Sequence, residues 1–66
     1  MEESLRLLNE FAIAKNELKQ VGKMITKIIE VPDGTFTRVS ITINDVVYLS
    51  EHKDPIIATI QLRNQI

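Results

Sequence analysis

The sequence predicts an α+β fold in which an N-terminal amphipathic helix is followed by a four-stranded antiparallel β-meander. Three observations lead to this prediction. Apolar residues recur every three or four positions in the first third of the chain, two short turn signals follow, and the tail alternates apolar with polar residues. The chain has 66 residues, and we interpret residues 1–66 as a single small domain.

The helix is predicted over residues 2–21. Its apolar residues recur at spacings of 4, 3, 4 and 3, which places them on one helical face: Leu7, Phe11, Ala14, Leu18 and Val21. Gly22 then suits a left-handed C-terminal cap. Residues 23–31 leave an alternative open, because Ile25 and Ile28 continue the same spacing and would extend the helix in the manner of a coiled coil.

The segment EVPDGTF, residues 30–36, favours a β-hairpin over the longer helix. Pro32 fixes φ for the first turn position, Asp33 suits the next position, and Gly34 can adopt the left-handed conformation that follows. The preceding residues MITKIIEV are also rich in β-branched side chains. We therefore predict a hairpin whose loop has three residues and a bulge.

This hairpin register predicts a sheet with one buried face and one outer face. It pairs Ile29 with Thr37 and Ile25 with Ile41. With Lys27 as its one misfit, the buried face would hold Ile25, Ile29, Val31, Val39, Ile41 and Ile43. The outer face would hold Met24, Thr26, Ile28, Glu30, Phe36, Arg38, Ser40 and Thr42.

Asn44-Asp45 is the second turn signal. A two-residue loop at this point returns the chain as a third strand, VVYLS, and places Tyr48 against Ile41 on the buried face. The segment SEHKD, residues 50–54, is predicted to form a polar loop after that strand.

The tail PIIATIQLRNQI is predicted as the fourth strand. Its apolar residues fall on even positions, which fits a period of two better than a helical period: Ile56, Ala58, Ile60, Leu62 and Ile66. The alternative is that Asp54-Pro55 caps and starts a helix, which would give the order α-β-β-β-α. In the favoured arrangement the N-terminal helix covers one face of the sheet.

Composition excludes several of the features that usually stabilise a small domain. A chain of this size buries only about 60% of its unfolded surface and usually needs a disulfide, a metal or a partner chain. The sequence has no Cys and one His, so we expect no disulfide, metal or cofactor, and self-association is the remaining source of stability. The acidic N-terminus and the lack of an ~18-residue apolar run predict a cytoplasmic protein without a membrane partner.

Candidate catalytic groups are few. Ser50 and His52 lie two positions apart, but nothing in the sequence marks the carboxylate and oxyanion hole that a nucleophile needs. Glu51, His52 and Asp54 are weak candidates for metal ligands, because three neighbouring loop residues are common without a metal. We therefore expect no enzymatic activity.

Self-association is the favoured function. The apolar residues outside the expected core exceed what a small monomer can cover, and these interface candidates are Ile13, Met24, Ile28, Phe36, Val47, Leu49 and Ile57. The net charge of −1 lacks the strong basic signature of a nucleic-acid binder. We expect a homo-oligomer, a dimer or larger, that acts as a small binding or regulatory protein on a protein partner. An accessory or inhibitor of a larger bacterial or viral system would fit this description.

Two alternatives stay open at the level of sequence. The outer sheet face could bind RNA or single-stranded DNA, with Phe36 stacking on a base and Arg38 and Arg63 contacting phosphates. An oligomer could instead enclose a small-molecule pocket at its interface, lined by residues 50–54 or by the outer face.

Overall fold

The structure is a computed structural model that describes the backbone of residues 2–66 and the side chains of residues 3–66. The elements, in chain order, are α1 (Glu2–Val21), β1 (Lys23–Val31), β2 (Gly34–Ile43), β3 (Val46–His52) and α2 (Pro55–Asn64). The strands form one antiparallel sheet in the order β1-β2-β3. The predicted bounds of the first helix are confirmed, and the order α-β-β-β-α is the one that the sequence left as an alternative.

The predicted fourth strand is wrong, because the tail forms helix α2. The helix begins where Asp54 Oδ1 accepts a hydrogen bond of 2.9 Å from the backbone N–H of Ile56, with Pro55 at the first helical position. Its buried residues are Ala58, Thr59 and Leu62. Thr59 is polar, so the sequence did not place it on a buried helical face. It is nevertheless buried in α2, because its hydroxyl donates to the Pro55 carbonyl at 2.9 Å.

The hairpin between β1 and β2 is confirmed, but its register differs by one residue from the prediction. Its loop has two residues, so that Val31 pairs with Gly34 and Ile28 with Thr37. Gly34 has φ of 140°, a conformation that L side chains rarely adopt. A shift of one residue turns every side chain of a strand to the other face. The observed register thereby removes the misfit Lys27 from the face that the helices cover.

The second hairpin follows the prediction more closely. Asn44 and Asp45 form a two-residue loop with φ of 52° and 67°, as the first and second central residues of a type I′ turn require. Tyr48 pairs with Ile41 as predicted. The third strand is longer than predicted and includes residues 50–52, so the expected polar loop shortens to Lys53 and Asp54.

Gly22 joins α1 to β1 without the predicted left-handed cap, since Gly34 is the one glycine of the chain with positive φ. Its N–H donates to the Leu18 carbonyl at 3.1 Å. A Cβ built at Gly22 would overlap the Thr42 carbonyl oxygen and lie 3.0 Å from Ile41 Cγ1. Close approach of the backbone to β2, rather than an unusual φ, therefore requires glycine here.

Both helices lie on one side of the sheet. The buried core joins α1, β2 and α2 through Leu18, Val39, Ile41, Ala58 and Leu62, and Met24, Ile43 and Tyr48 pack against it. The predicted covering helix α1 thus shares this role with α2, and its Leu7 and Val21 stay exposed. Neither described helix is long and apolar enough to cross a membrane.

Candidate interface on the open sheet face

The sheet side that carries no helix is named here the open face. The odd-numbered residues of β2 point to the helices, because Val39 and Ile41 are in the core, and residues paired across an antiparallel sheet share a face. The open face therefore consists of Lys23, Ile25, Lys27, Ile29, Val31, Phe36, Arg38, Ser40, Thr42, Val47, Leu49 and Glu51.

Half of the residues on the open face are apolar. Val47 is 66% exposed, Ile25 and Leu49 are each 45% exposed, and Val31 is 41% exposed. Ile29 and Phe36 pair across β1 and β2 and are half-buried by their neighbours in the sheet. Single apolar residues are ordinary on a surface, but several exposed ones that share one flat face are typical of an interaction site.

One charged row crosses the middle of the open face. Lys27 pairs in register with Arg38, and Arg38 pairs with Glu51. The Arg38 Nη2 lies 2.7 Å from Glu51 Oε2, and Arg38 Nε donates to the same oxygen at 2.8 Å. Lys27 forms no ion pair within residues 3–66. The row therefore presents an uncompensated positive charge on β1 and a neutralised pair across β2 and β3.

The predicted interface residues do not all share one surface. Phe36, Val47 and Leu49 lie together on the open face. Met24 and Ile28 lie on the opposite, helix-covered side because of the changed register. Met24 packs against the core, whereas Ile28 is 75% exposed near the end of β1 where neither helix reaches.

The two remaining interface candidates are on the helices. Ile13 is 55% exposed on α1 and lines a groove between the helices together with Ile60. Ile57 was expected on a fourth strand and instead lies half-buried in α2. Neither residue is continuous with the open face.

The residues proposed for nucleic-acid contacts are separated. Phe36 and Arg38 are on the open face, but Arg63 is on α2, on the other side of the sheet. Arg63 Nε donates to Glu17 Oε2 at 3.0 Å, and Nη2 donates to Glu17 Oε1 at 3.4 Å. This hydrogen bonding, with the negative charge of Glu17, raises the pKa of the Arg63 guanidinium above its ordinary value. Arg63 therefore links α2 to α1 and does not lie on the open face.

The candidate chemical groups have structural partners. The Ser50 hydroxyl is buried and donates to Gln61 Oε1 at 3.4 Å, while His52 Nδ1 accepts from the backbone N–H of Asp54 at 2.9 Å. Ser50 and Glu51 project from opposite faces of β3. No group of three or more His, Asp or Glu residues able to hold a metal occurs within the described part of the chain.

A shallow hollow lies at one end of the open face. It measures about 480 Å³ and is lined by Phe36, Glu51, His52 and Lys53. These residues come from the region that the sequence analysis named for a small-molecule pocket. The hollow opens widely to solvent in the single chain, so a second surface would be needed to enclose a ligand there.

Sequence reasoning missed three apolar residues of the open face, namely Ile25, Ile29 and Val31. They were assigned to the buried side because the hairpin was expected to have a three-residue loop. The signal that could have corrected this assignment was Lys27, whose charge fits poorly on a buried face.

Comparison of the chain with protein-family models, with curated proteins and with solved structures finds no match.

Proposed function

We propose that this chain is a small non-enzymatic binding protein that acts as a homodimer, with the open faces of two copies packed together. The observation that supports this proposal is that both helices lie on one side of a three-stranded sheet, leaving uncovered a face on which half of the residues are apolar. Packing two such sheets face to face would bury the face in the manner of a β-sandwich. We expect this dimer to act in the cytoplasm on a protein partner.

The solvent-accessible area of the chain exceeds that expected of a compact monomer, which supports the proposal that a second copy covers part of it. Its solvent-accessible area is 5066 Å². A compact monomer of 7.5 kDa is expected to expose about 4,200 Å². The excess, about 900 Å², is similar to the area of roughly 800 Å² that each partner contributes to a standard protein–protein interface. The open face is a flat surface with exposed apolar residues over which this excess can be buried.

A dimer through the open face is better supported than one through the strand edges. Gln65 Nε2 donates to the Leu49 carbonyl at 2.7 Å, so part of the β3 backbone is already occupied. The β1 edge has lysines at positions 23 and 27, a feature that natural proteins use to discourage edge pairing.

Nucleic-acid binding is the less supported alternative. The charge of Arg38 is compensated by Glu51, and that of Arg63 by Glu17. The open face thus offers few free cations for phosphates, and Phe36 is its one aromatic side chain for stacking on a base.

The oligomeric state tests the proposal directly. We expect native mass spectrometry and sedimentation velocity to show a dimer for the wild-type chain. Val47→Glu places a charge on the open face at a residue that makes little contact within one chain, so it should yield folded monomer. Circular dichroism checks that the fold is retained.

Leu8→Glu is the matched control. Leu8 is 50% exposed on α1, so the substitution adds the same charge and removes a similar apolar side chain on the helical side. We expect Leu8→Glu to remain dimeric. A wild-type monomer, or a dimer dissociated by Leu8→Glu and not by Val47→Glu, would contradict the proposal.

A further inference from the structure

We infer that the two-fold axis of this dimer runs parallel to the strands, so that Lys27 of each copy faces Glu51 of the other. The inference rests on the proposed function, because it specifies how the second copy lies on the open face. The charged row of Lys27, Arg38 and Glu51 carries it.

Face-to-face packing of two identical sheets has two simple two-fold solutions. An axis parallel to the strands places β2 over β2 of the second copy and β1 over its β3. An axis perpendicular to the strands, still in the plane between the sheets, places β1 over β1 and β3 over β3. Sheets in aligned sandwiches cross at about 30°, so residues near the centre stay almost opposite their counterparts.

The charges distinguish the two solutions. Arg38 lies near the middle of β2, so its row is close to the centre in either arrangement. With the axis parallel to the strands, Lys27 on β1 lies over Glu51 on β3 of the second copy. With the perpendicular axis centred on this row, Lys27 faces Lys27 and Glu51 faces Glu51. Arg38 faces Arg38 of the second copy in both arrangements, so it does not distinguish them. The like charges of Lys27 and Glu51 disfavour the perpendicular axis, whereas their opposite charges favour the axis parallel to the strands.

The reach of the side chains allows the pairing. Packed sheets lie about 10 Å apart, and the side chains of lysine and glutamate together span about that distance. Lys27 is exposed and forms no ion pair with the side chains that the structure describes, while Glu51 also holds Arg38. A carboxylate can accept several hydrogen bonds, so Glu51 can contact both cations.

The apolar residues agree with the same orientation. The neighbouring row holds Ile25, Ser40 and Leu49 across the three strands. The axis parallel to the strands places Ile25 over Leu49 of the second copy and Ser40 over Ser40. The interface then has apolar contacts next to the charged row. Two copies bring four cations and two carboxylates into that row, so the pairing of Lys27 with Glu51 offsets part of its charge and fixes orientation more than it adds affinity.

Charge exchange tests the orientation. Lys27→Glu puts two carboxylates opposite each other at two symmetric positions, and Glu51→Lys puts two ammonium groups there. We expect each single variant to raise the dimer dissociation constant at least about tenfold in sedimentation equilibrium. The double variant Lys27→Glu/Glu51→Lys restores opposite charges and should recover most of the loss. Lys19→Glu, on exposed α1, changes the net charge equally and should leave the constant unchanged.

Cross-linking of the wild-type protein provides a test without substitutions. Copies labelled with ¹⁴N and ¹⁵N are mixed and treated with a carbodiimide, which joins an amine directly to a carboxylate. We expect a Lys27–Glu51 product that contains both isotopes. Absence of a mixed-isotope Lys27–Glu51 product, under conditions in which sedimentation shows the dimer, would overturn the inferred axis.

The outcomes separate this inference from the proposed function. If Val47→Glu dissociates the dimer while Lys27→Glu and Glu51→Lys do not, the open face is the interface but the inferred axis is wrong. If the wild-type chain is a monomer, both the proposed function and the axis are overturned.

Discussion

At the scale of single residues, Gly22 and Gly34 are required for different reasons. At Gly22 the neighbouring strand leaves no room for a side chain, and at Gly34 the backbone conformation favours glycine. A Cβ at Gly22 meets the Thr42 carbonyl and two isoleucine side chains, whereas a Cβ at Gly34 meets nothing within 4 Å. Gly34 instead has φ of 140°. The sequence identified both positions as places where glycine is needed. It could not separate the two reasons, because the close approach of Gly22 to β2 exists only in the folded chain.

Gly22→Ala tests the close approach. We expect it to lower the free energy of unfolding by about 2 kcal/mol, because the backbone oxygen of Thr42 cannot move aside without disturbing β2. Urea unfolding followed by circular dichroism, at one fixed protein concentration, measures the change.

Asn16→Ala, exposed in the same helix, should change the free energy of unfolding by less than about 0.5 kcal/mol. If Gly22→Ala is as mild as this control, α1 does not approach β2 as closely as the structure places it.

At the scale of elements, α2 shows how a local start signal can outweigh periodicity. The even-numbered apolar residues of the tail predicted a strand, but Ala58 and Leu62 are also one helical turn apart. Asp54 and Pro55 provide the cap and first residue of a helix. Over so short a segment, apolar residues spaced for a strand can also fall on one face of a helix. Thr59 counts as a polar position between apolar ones, as in a strand, whereas its hydroxyl is hydrogen-bonded within the helix.

Asp54→Ala tests the contribution of this cap. The substitution removes the acceptor for the Ile56 N–H and should lower the free energy of unfolding by about 1 kcal/mol. Asp54→Asn keeps a side-chain oxygen at the same position and should cost much less. Urea unfolding of both variants gives the comparison, and equal losses would show that the cap hydrogen bond is not what starts α2.

The hairpin of β1 and β2 shows the limit of sequence reasoning in another way. The turn itself was predictable from Pro32, Asp33 and Gly34. Its loop length was not, because the same three residues suit loops of two and of three residues. That single residue of register decides whether Ile25, Ile29 and Val31 are buried or belong to the open face. The predicted interface therefore changed more than the predicted fold did.

At the scale of the whole molecule, the chain is a thin two-layer slab, 14 Å across its shortest dimension when measured between Cα atoms. Its fully buried hydrophobic residues are few, and the open face has no cover within one chain. A small core of this kind is expected to be marginally stable alone. Sequence composition predicted a partner without locating the surface that would bind it, since the composition of the open face depends on the register of β1.

The proposed dimer couples folding to protein concentration. If unfolding separates the two copies, a tenfold rise in concentration favours the dimer by about 1.4 kcal/mol and should raise the urea midpoint by roughly 0.5 to 1 M. Val47→Glu, which should be monomeric, should have a midpoint that does not change with concentration. A wild-type midpoint that stays constant from micromolar to hundreds of micromolar, while sedimentation shows the dimer dissociating over that range, would mean that each copy folds without its partner. The open face would then serve binding only, and the stability of the chain would come entirely from the core around Leu18, Ile41 and Leu62.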